Sequence, residues 1–308
     1  MTKKEIRVFD IVNDGFLMYF KNFKKFFVYM TFPVLGQLVG MILIFGMTYI
    51  YTSKVPYLVS NFKFFDNFAV LISISILLVI PGFIIFFKAF WDYLVAYGSV
   101  NSMVAAMVKT GKLYDFPAHN QVITRRSAAF VLLWVIFSIY LLFAFNIIFW
   151  VVGFIFFVYF SLIFQVFTLE EASPLESFKR SFHLVRGHFT KTLFILIILF
   201  IVTYLIIPQL VVGIFDAVNG INFSSRLIEG WASQIPLDSF NLVLIKMNMA
   251  ILTPVIIAKW LISILLSQVI IQYLLPLRSI VMCLWYKHLK KTDDKAGKKK
   301  SKISELQE

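Results

Sequence analysis

Residues 127–168 run for 42 positions without one charged side chain. A bilayer core is crossed by about 20 apolar residues in helical form, so this run is too long for one span and fits two. A fold back near Asn146 would make it a tight helical hairpin. No water-soluble domain of this length hides such a stretch together with its neighbours, because a compact fold must clothe its exterior in polar groups. Composition agrees: 60% of the 308 residues are hydrophobic, 18% aromatic and 15% charged, with a mean hydropathy of +0.85. A soluble domain carries about 25% charged residues. These numbers exclude disordered, collagen-like, disulfide-scaffold and nucleic-acid-binding classes.

The fold class expected is therefore all-α, a polytopic membrane protein with six transmembrane helices in three hairpins. Besides 127–145 and 149–168, the spans fall at about 26–51, 67–87, 189–215 and 257–284. Pro81-Gly82 marks a kink in the second. The last boundary is the loosest: the span lies within 249–286, where Pro254 and Lys259 suggest its outer end and Lys287 its inner end. The first run is too long for a cleaved signal-peptide core, and no cleavable targeting sequence is expected.

A net charge of +13, from 29 Lys and Arg against 16 Asp and Glu, often points to nucleic acid. Here the basic residues border the apolar runs instead. With both termini cytoplasmic, 22 of them fall on the inner side and four (Lys54, Lys63, Arg226, Lys246) in outer loops. That bias is the positive-inside pattern. The largest outer loop is 216–248, and the polar, lysine-rich tail 287–308 is expected to be disordered and to lie near anionic headgroups.

Basic amphipathic helices precede each pair of spans. In residues 5–25, Phe9, Val12, Phe16, Tyr19, Phe20 and Phe23 recur at helical spacing against Arg7, Asp10, Asp14, Lys21, Lys24 and Lys25. Such a helix either lies in the bilayer interface or packs on the protein's own core. A second lies around 99–126, where Asp115 could cap a short segment, and a third at 174–186. The order reads as three copies of helix plus hairpin, a weak repeat that any multi-span protein with basic borders could also show.

Residues 168–191 read TLEEASPLESFKRSFHLVRGHFTK. Ser173 is an N-cap, Pro174 the first helical residue and Glu176 the third, a capping box. Leu175, Phe178, Phe182 and Val185 form an apolar stripe, Glu176 and Arg180 are a favourable i, i+4 pair, and Gly187 ends the helix. This segment resembles a widespread bacterial group that includes YciC-like proteins and the membrane domain attached to some glycerophosphodiester phosphodiesterases. Members show an A-x-x-x-S-x-x-L-x-x-G helix before the fifth span. Here those positions read Ser177, Ser181, Leu184 and Gly187, with serine in place of the alanine. The run PLRSIVMCLWYKHLK (276–290) is similar to the group's ending. The resemblance implies a bacterial inner membrane and no established activity. The group's phosphodiesterase domain is a large soluble barrel that the short tail after the last span cannot encode.

Catalytic patterns do not surface. The single cysteine, Cys283, makes neither a disulfide nor a metal cluster. His183 and His188 are five apart, about 140° around a helix, so they cannot share one metal. No cofactor or metal ligand set is expected. Charged groups at membrane depth are functional candidates by default: Lys88 with Asp92 four residues on, Lys259 snorkelling outward, and Arg278, placed to pair with Glu170 or Glu171. Gln268 and Gln272 share a face of the last span and could bond a neighbouring helix, and Gly36 with Gly40 form a close-packing G-x-x-x-G. The expected function is a non-enzymatic integral membrane protein acting through lipids, in particular anionic headgroups at the cytoplasmic leaflet, or as part of a membrane protein complex. The alternative is a six-span carrier or channel for a small solute or lipid, built around Gln268 and Gln272. A surface lipid enzyme using Glu170, Glu171, His183 or Arg186 ranks last, because helix capping and topology already explain those residues.

Overall fold

The computed structural model describes residues 8–111, 116–144, 146 and 149–304, with side chains as far as Lys295. It is 88% helical, and no strand occurs among the described residues. Six helical stretches are long and apolar enough to cross a membrane: Phe23–Asn61, Phe68–Thr110, Ser127–Ala144, Trp150–Leu169, Phe189–Ala217 and Pro254–Lys295. The protein is a multi-pass membrane protein. Only 6% of the most apolar stretch of Phe68–Thr110 is buried within the protein, a surface that lipid and not water must cover.

The chain order is α1 (Val8–Lys21), α2 (Phe23–Asn61), a short 3-10 turn (Lys63–Asp66), α3 (Phe68–Thr110), α4 (Phe116–Thr124), α5 (Ser127–Ala144), α6 (Trp150–Tyr159), α7 (Ile163–Leu169), α8 (Pro174–Val185), α9 (Phe189–Phe200), α10 (Ile207–Ala217), α11 (Gly220–Ala232), α12 (Asp238–Lys246), α13 (Pro254–Tyr273) and α14 (Leu275–Ser304). A π-helical turn, Ile201–Ile206, joins α9 to α10. Pro208 lies just beyond it and cannot donate to the helical ladder, the usual origin of such a widened turn.

Several expected boundaries move. Helices α2 and α3 have 39 and 43 residues, and at about 1.5 Å per residue each is far longer than a bilayer core. Hydropathy reports where lipid ends, whereas the helical ladder continues through polar residues: Thr52 and Ser60, for instance, bond back to carbonyls of their own helix. The expected sixth span is interrupted at Leu274, where Pro276 removes the donor to the Gln272 carbonyl. The tail is not a disordered coil as far as Ser304: α14 runs through it. Lysine and alanine are good helix formers, and the packed first half of α14 supplies the nucleus that an isolated tail would lack. The Asp115 cap expected for α4, and Arg7 of α1, lie outside the described residues.

The chain forms two compact units. One comprises residues up to 30, 91–201 and 274 onward; the other comprises 31–90 and 202–273. In the first, Val95, Ile123, Phe130, Leu133, Ile163, Phe164 and Phe167 make the apolar core, with Trp91, Trp134 and Phe178 around it. The first half of α14 is equally buried, through Leu277, Ile280, Val281, Cys283, Trp285 and Leu289. Against it lies α1, whose Gly15 meets the Val281 side chain so closely that a Cβ there would collide. Ile11, Val12, Gly15 and Tyr19 are the buried edge of α1, while Phe9, Leu17, Phe20 and Phe23 face outward. The stripe expected to bury is thus split between the protein and its surroundings.

In the second unit, the G-x-x-x-G of α2 does what its spacing requires: Gly36 packs on Ala89 and Gly40 on the backbone of Phe86. Helices α10 and α11 pack on α13, and Gly230 of α11 takes the Tyr49 hydroxyl against its Cα.

Candidate functional site

The most organised polar region of the first unit lies where α7 ends, α8 begins and α14 passes. Between α6 and α7 the helical ladder is broken over residues 160–162. A break among apolar side chains leaves backbone groups that must find partners. Ser181 of α8 supplies them: its hydroxyl donates to the Tyr159 carbonyl at 2.7 Å and accepts from the Leu162 N–H at 3.2 Å. Ser177, one turn earlier, is also fully buried and donates to the Ser173 carbonyl. The buried edge of α8 is therefore Ser177, Ser181, Leu184 and Val185. Of the stripe expected from hydrophobicity, Val185 is buried and Phe178 and Phe182 pack on Phe160 and Tyr159, but Leu175 is 64% exposed, and the two serines are inside. Three of those inward residues, with Gly187, occupy the positions of the resembled motif.

Both ends of α8 are built as their residues require. Ser173 accepts from the Glu176 N–H while the Glu176 carboxylate accepts from the Ser173 N–H, both at 3.4 Å. Gly187 has φ +88°, the left-handed region open to glycine, and the chain re-enters helix at Phe189. His183 and His188 consequently belong to different elements, not to one helix. His188 lies edge-on to Trp285, and burial followed by the Lys191 charge lowers its pKa. Arg186 is the exposed C-cap residue.

Glu170 is the C-cap of α7 and is only 18% exposed at its side chain. Tyr286 donates to its Oε1 at 2.7 Å and Lys290 to the same oxygen at 3.1 Å. The Nε of Arg180 is 3.4 Å from Oε2. The Nη1 of Arg180 then donates to Asp293 at 2.9 Å, and His183 Nε2 stands 3.3 Å from the other oxygen of Asp293. Six charged or polar side chains from three helices thus form one connected network. Burial pushes the Glu170 carboxyl up, but bonds from Tyr286 and Lys290 and the charges of Lys290 and Arg180 outweigh it and hold the group below its ordinary range. Burial opposes the charge of Arg180 too, and Asp293 with Glu170 overcome it and raise its pKa.

Arg126, which ends the link from α4 to α5, clamps the same turn. Its two terminal nitrogens donate to the Phe167 and Ala172 carbonyls at 3.0 and 2.6 Å, and its plane lies 4.3 Å from the Phe167 ring centre. It thereby satisfies a carbonyl left over at the end of α7. Between the two clamped carbonyls, Glu171 adopts a left-handed φ of +54°.

The pairs expected from the sequence are Arg278 with Glu170 or Glu171, and Glu176 with Arg180. The structure gives Glu170 to Arg180 and Lys290, because Glu176 is already committed to the capping box and Arg180 reaches across to α14. Arg278 sits near the start of α14, where its charge acts on the Tyr19 phenol of α1. Lys88 lies 5.9 Å from the Phe32 ring centre. Asp92, on the same helix, falls beyond the border between the two units. On α13, Gln268 is exposed and Gln272 half-buried, and the Gln272 Oε1 is buried with no hydrogen-bond partner among the described residues. Tyr286, Lys290, Asp293 and Arg126 were missed. The first three are i, i+4 and i+7 on one face of α14, a signal that exists only if the helix is continued through the tail.

These features define the class: an all-helical, six-span membrane protein whose short helices are fastened by a buried serine and an ion network. Comparison with known proteins adds nothing to this class: no family model, no curated protein and no solved structure matches the chain.

Proposed function

We propose that this is a non-enzymatic integral protein of a bacterial inner membrane, with both termini cytoplasmic, which works through anionic lipids or a protein partner at the cytoplasmic leaflet. One observation carries the reading. The helices of the first unit and their ends hold Lys21, Lys24, Lys25, Lys109, Arg125, Lys179, Arg186 and Lys191, all exposed. Glu170, by contrast, is turned inward and engaged. Asp10, Asp14, Glu171 and Glu176 are exposed on the same elements, so the rim is mixed but basic on balance. Each lysine or arginine near an anionic leaflet contributes roughly 1 kcal/mol of attraction, so such a rim favours acidic headgroups or an acidic partner surface. The resemblance of 173–187 and 276–290 to the YciC-like group supports the bacterial setting.

A surface lipid enzyme fits less well. An anionic Glu170 held by three donors, below the usual carboxylate range, is poorly suited to give or take a proton at neutral pH. The carrier reading keeps one specific support, the unpartnered Gln272 oxygen on α13. Replacing Gln268 and Gln272 with leucine should abolish solute flux in proteoliposomes if the carrier reading holds; unchanged flux removes these residues from it.

The test of the main reading is purification of the whole protein in mild detergent, with co-purifying lipids and proteins measured together. Anionic phospholipid should be enriched over its membrane abundance, or an acidic protein should be present in stoichiometric amount. Changing Lys21, Lys24 and Lys25 together to glutamine should reduce that enrichment severalfold. A purified protein with neither, turning over a lipid or moving a solute in liposomes, would contradict it.

A further inference from the structure

The second unit holds a cavity of about 560 Å³ between α11 and the start of α13. Asn219, Asn222, Phe223, Ser225, Arg226 and Glu229 line it from the α11 side, and Val255 and Lys259 from α13. The lining is polar in a part of the chain that is otherwise apolar. Arg226 and Lys259, from two different helices, converge on one space, with a single carboxylate beside them. No ion pair joins Arg226, Glu229 or Lys259 to another described residue. Two cations with one carboxylate beside them leave an excess positive charge in the cavity, and a bound anion offsets that excess. Arginine can hold two oxygens of a phosphate at once, and lysine adds a point charge.

Surroundings decide which anion. Lys259 is five residues into α13, a helix apolar enough to belong to a span. At about 1.5 Å per residue it stands one to two turns from the helix start, the depth at which lysines reach the headgroup layer. Next to the cavity, Phe223 and Leu227 are i, i+4 on α11 and are 69% and 76% exposed, and Trp260 follows Lys259 on α13, also exposed. A soluble anion has no use for such flanks. Acyl chains do, and an aromatic ring at the interface is suited to border them.

We propose that this cavity binds the phosphate-bearing headgroup of a phospholipid, Arg226 and Lys259 holding the phosphate, Glu229 accepting from a headgroup amine where one is present, and Phe223, Leu227 and Trp260 lying along the chains. The site is independent of the basic rim and uses none of its residues.

The full chain, delipidated in dodecyl maltoside and free of phosphate, is titrated with dihexanoyl phosphatidylethanolamine, dihexanoyl phosphatidylglycerol and inorganic phosphate. Tryptophan fluorescence reports on the site, since Trp231 and Trp260 are on the two helices concerned. Both lipids should bind saturably. Binding should weaken at least tenfold in R226Q/K259Q and at least threefold in R226Q alone, where an exposed side chain is changed and folding is not at risk. It should be unaltered in K246Q, a basic residue outside the cavity. E229Q should weaken the ethanolamine lipid selectively. Equal affinity for inorganic phosphate, lost in the same variants, would overturn the lipid and leave a soluble phosphate site. Lipid binding unchanged in both R226Q and R226Q/K259Q would overturn the site itself.

Discussion

Ser181 shows how much a single small side chain can hold in this protein. It bridges a gap in the α6–α7 ladder that no other hydroxyl is shown to fill, and it is fully buried while doing so. Replacing it with alanine leaves a buried carbonyl and a buried N–H without partners, which costs about 1–3 kcal/mol. The thermal midpoint of Ser181→Ala in detergent should fall by several degrees, whereas Leu175→Ala on the exposed face of α8 should stay within about 0.5 kcal/mol of the parent. Glu170 makes a second prediction at this scale. Its folded pKa is depressed, so its contribution to stability is complete above the ordinary glutamate pKa of about 4.3 and is lost as pH falls through the lower folded value. Acid unfolding followed by circular dichroism should therefore lose part of its steepness at the acid end in Glu170→Gln. That variant should also be less stable at neutral pH, since Arg180 and Lys290 lose a charged partner.

At the scale of elements, the long apolar helices were legible because lipid imposes a simple rule on composition, and the α8 caps were legible because they depend on residues three or four apart. What could not be read was that the inward face of α8 takes in two serines and leaves Leu175 out. The hydrophobic stripe included Val185 and Phe178, which do turn inward, and Leu175, which does not; it missed Ser177 and Ser181, and Ser181 answers broken backbone that needs a hydroxyl, a demand set by another helix. The network was missed for a related reason: ending the last helix at the edge of lipid hides the i, i+4, i+7 spacing of Tyr286, Lys290 and Asp293. This gives a direct test of α14. Thr292→Pro removes a ladder donor and clashes with the preceding turn, at a cost of about 3 kcal/mol. It should separate Asp293 from Arg180. Hydrogen exchange of residues 288–304 should accelerate sharply in this variant and remain slow in Thr292→Ala; fast exchange in the parent would contradict a helical tail.

For the whole molecule, the basic bias fixes an expected topology that chemistry can read. Cys283 is fully buried, so it is a silent background for an impermeant maleimide. A cysteine placed at exposed Lys179 should react only after the cells are opened, and one at exposed Ser60 in intact spheroplasts; the reverse pattern would place the termini outside. The most direct test of the central claim is native mass spectrometry of the full chain released from membranes in mild detergent. The account predicts a protein carrying anionic phospholipid or an acidic partner, with the load cut severalfold when Lys21, Lys24 and Lys25 become glutamine. A bare protein, or one whose lipid load ignores those three lysines and lacks any partner, would contradict it.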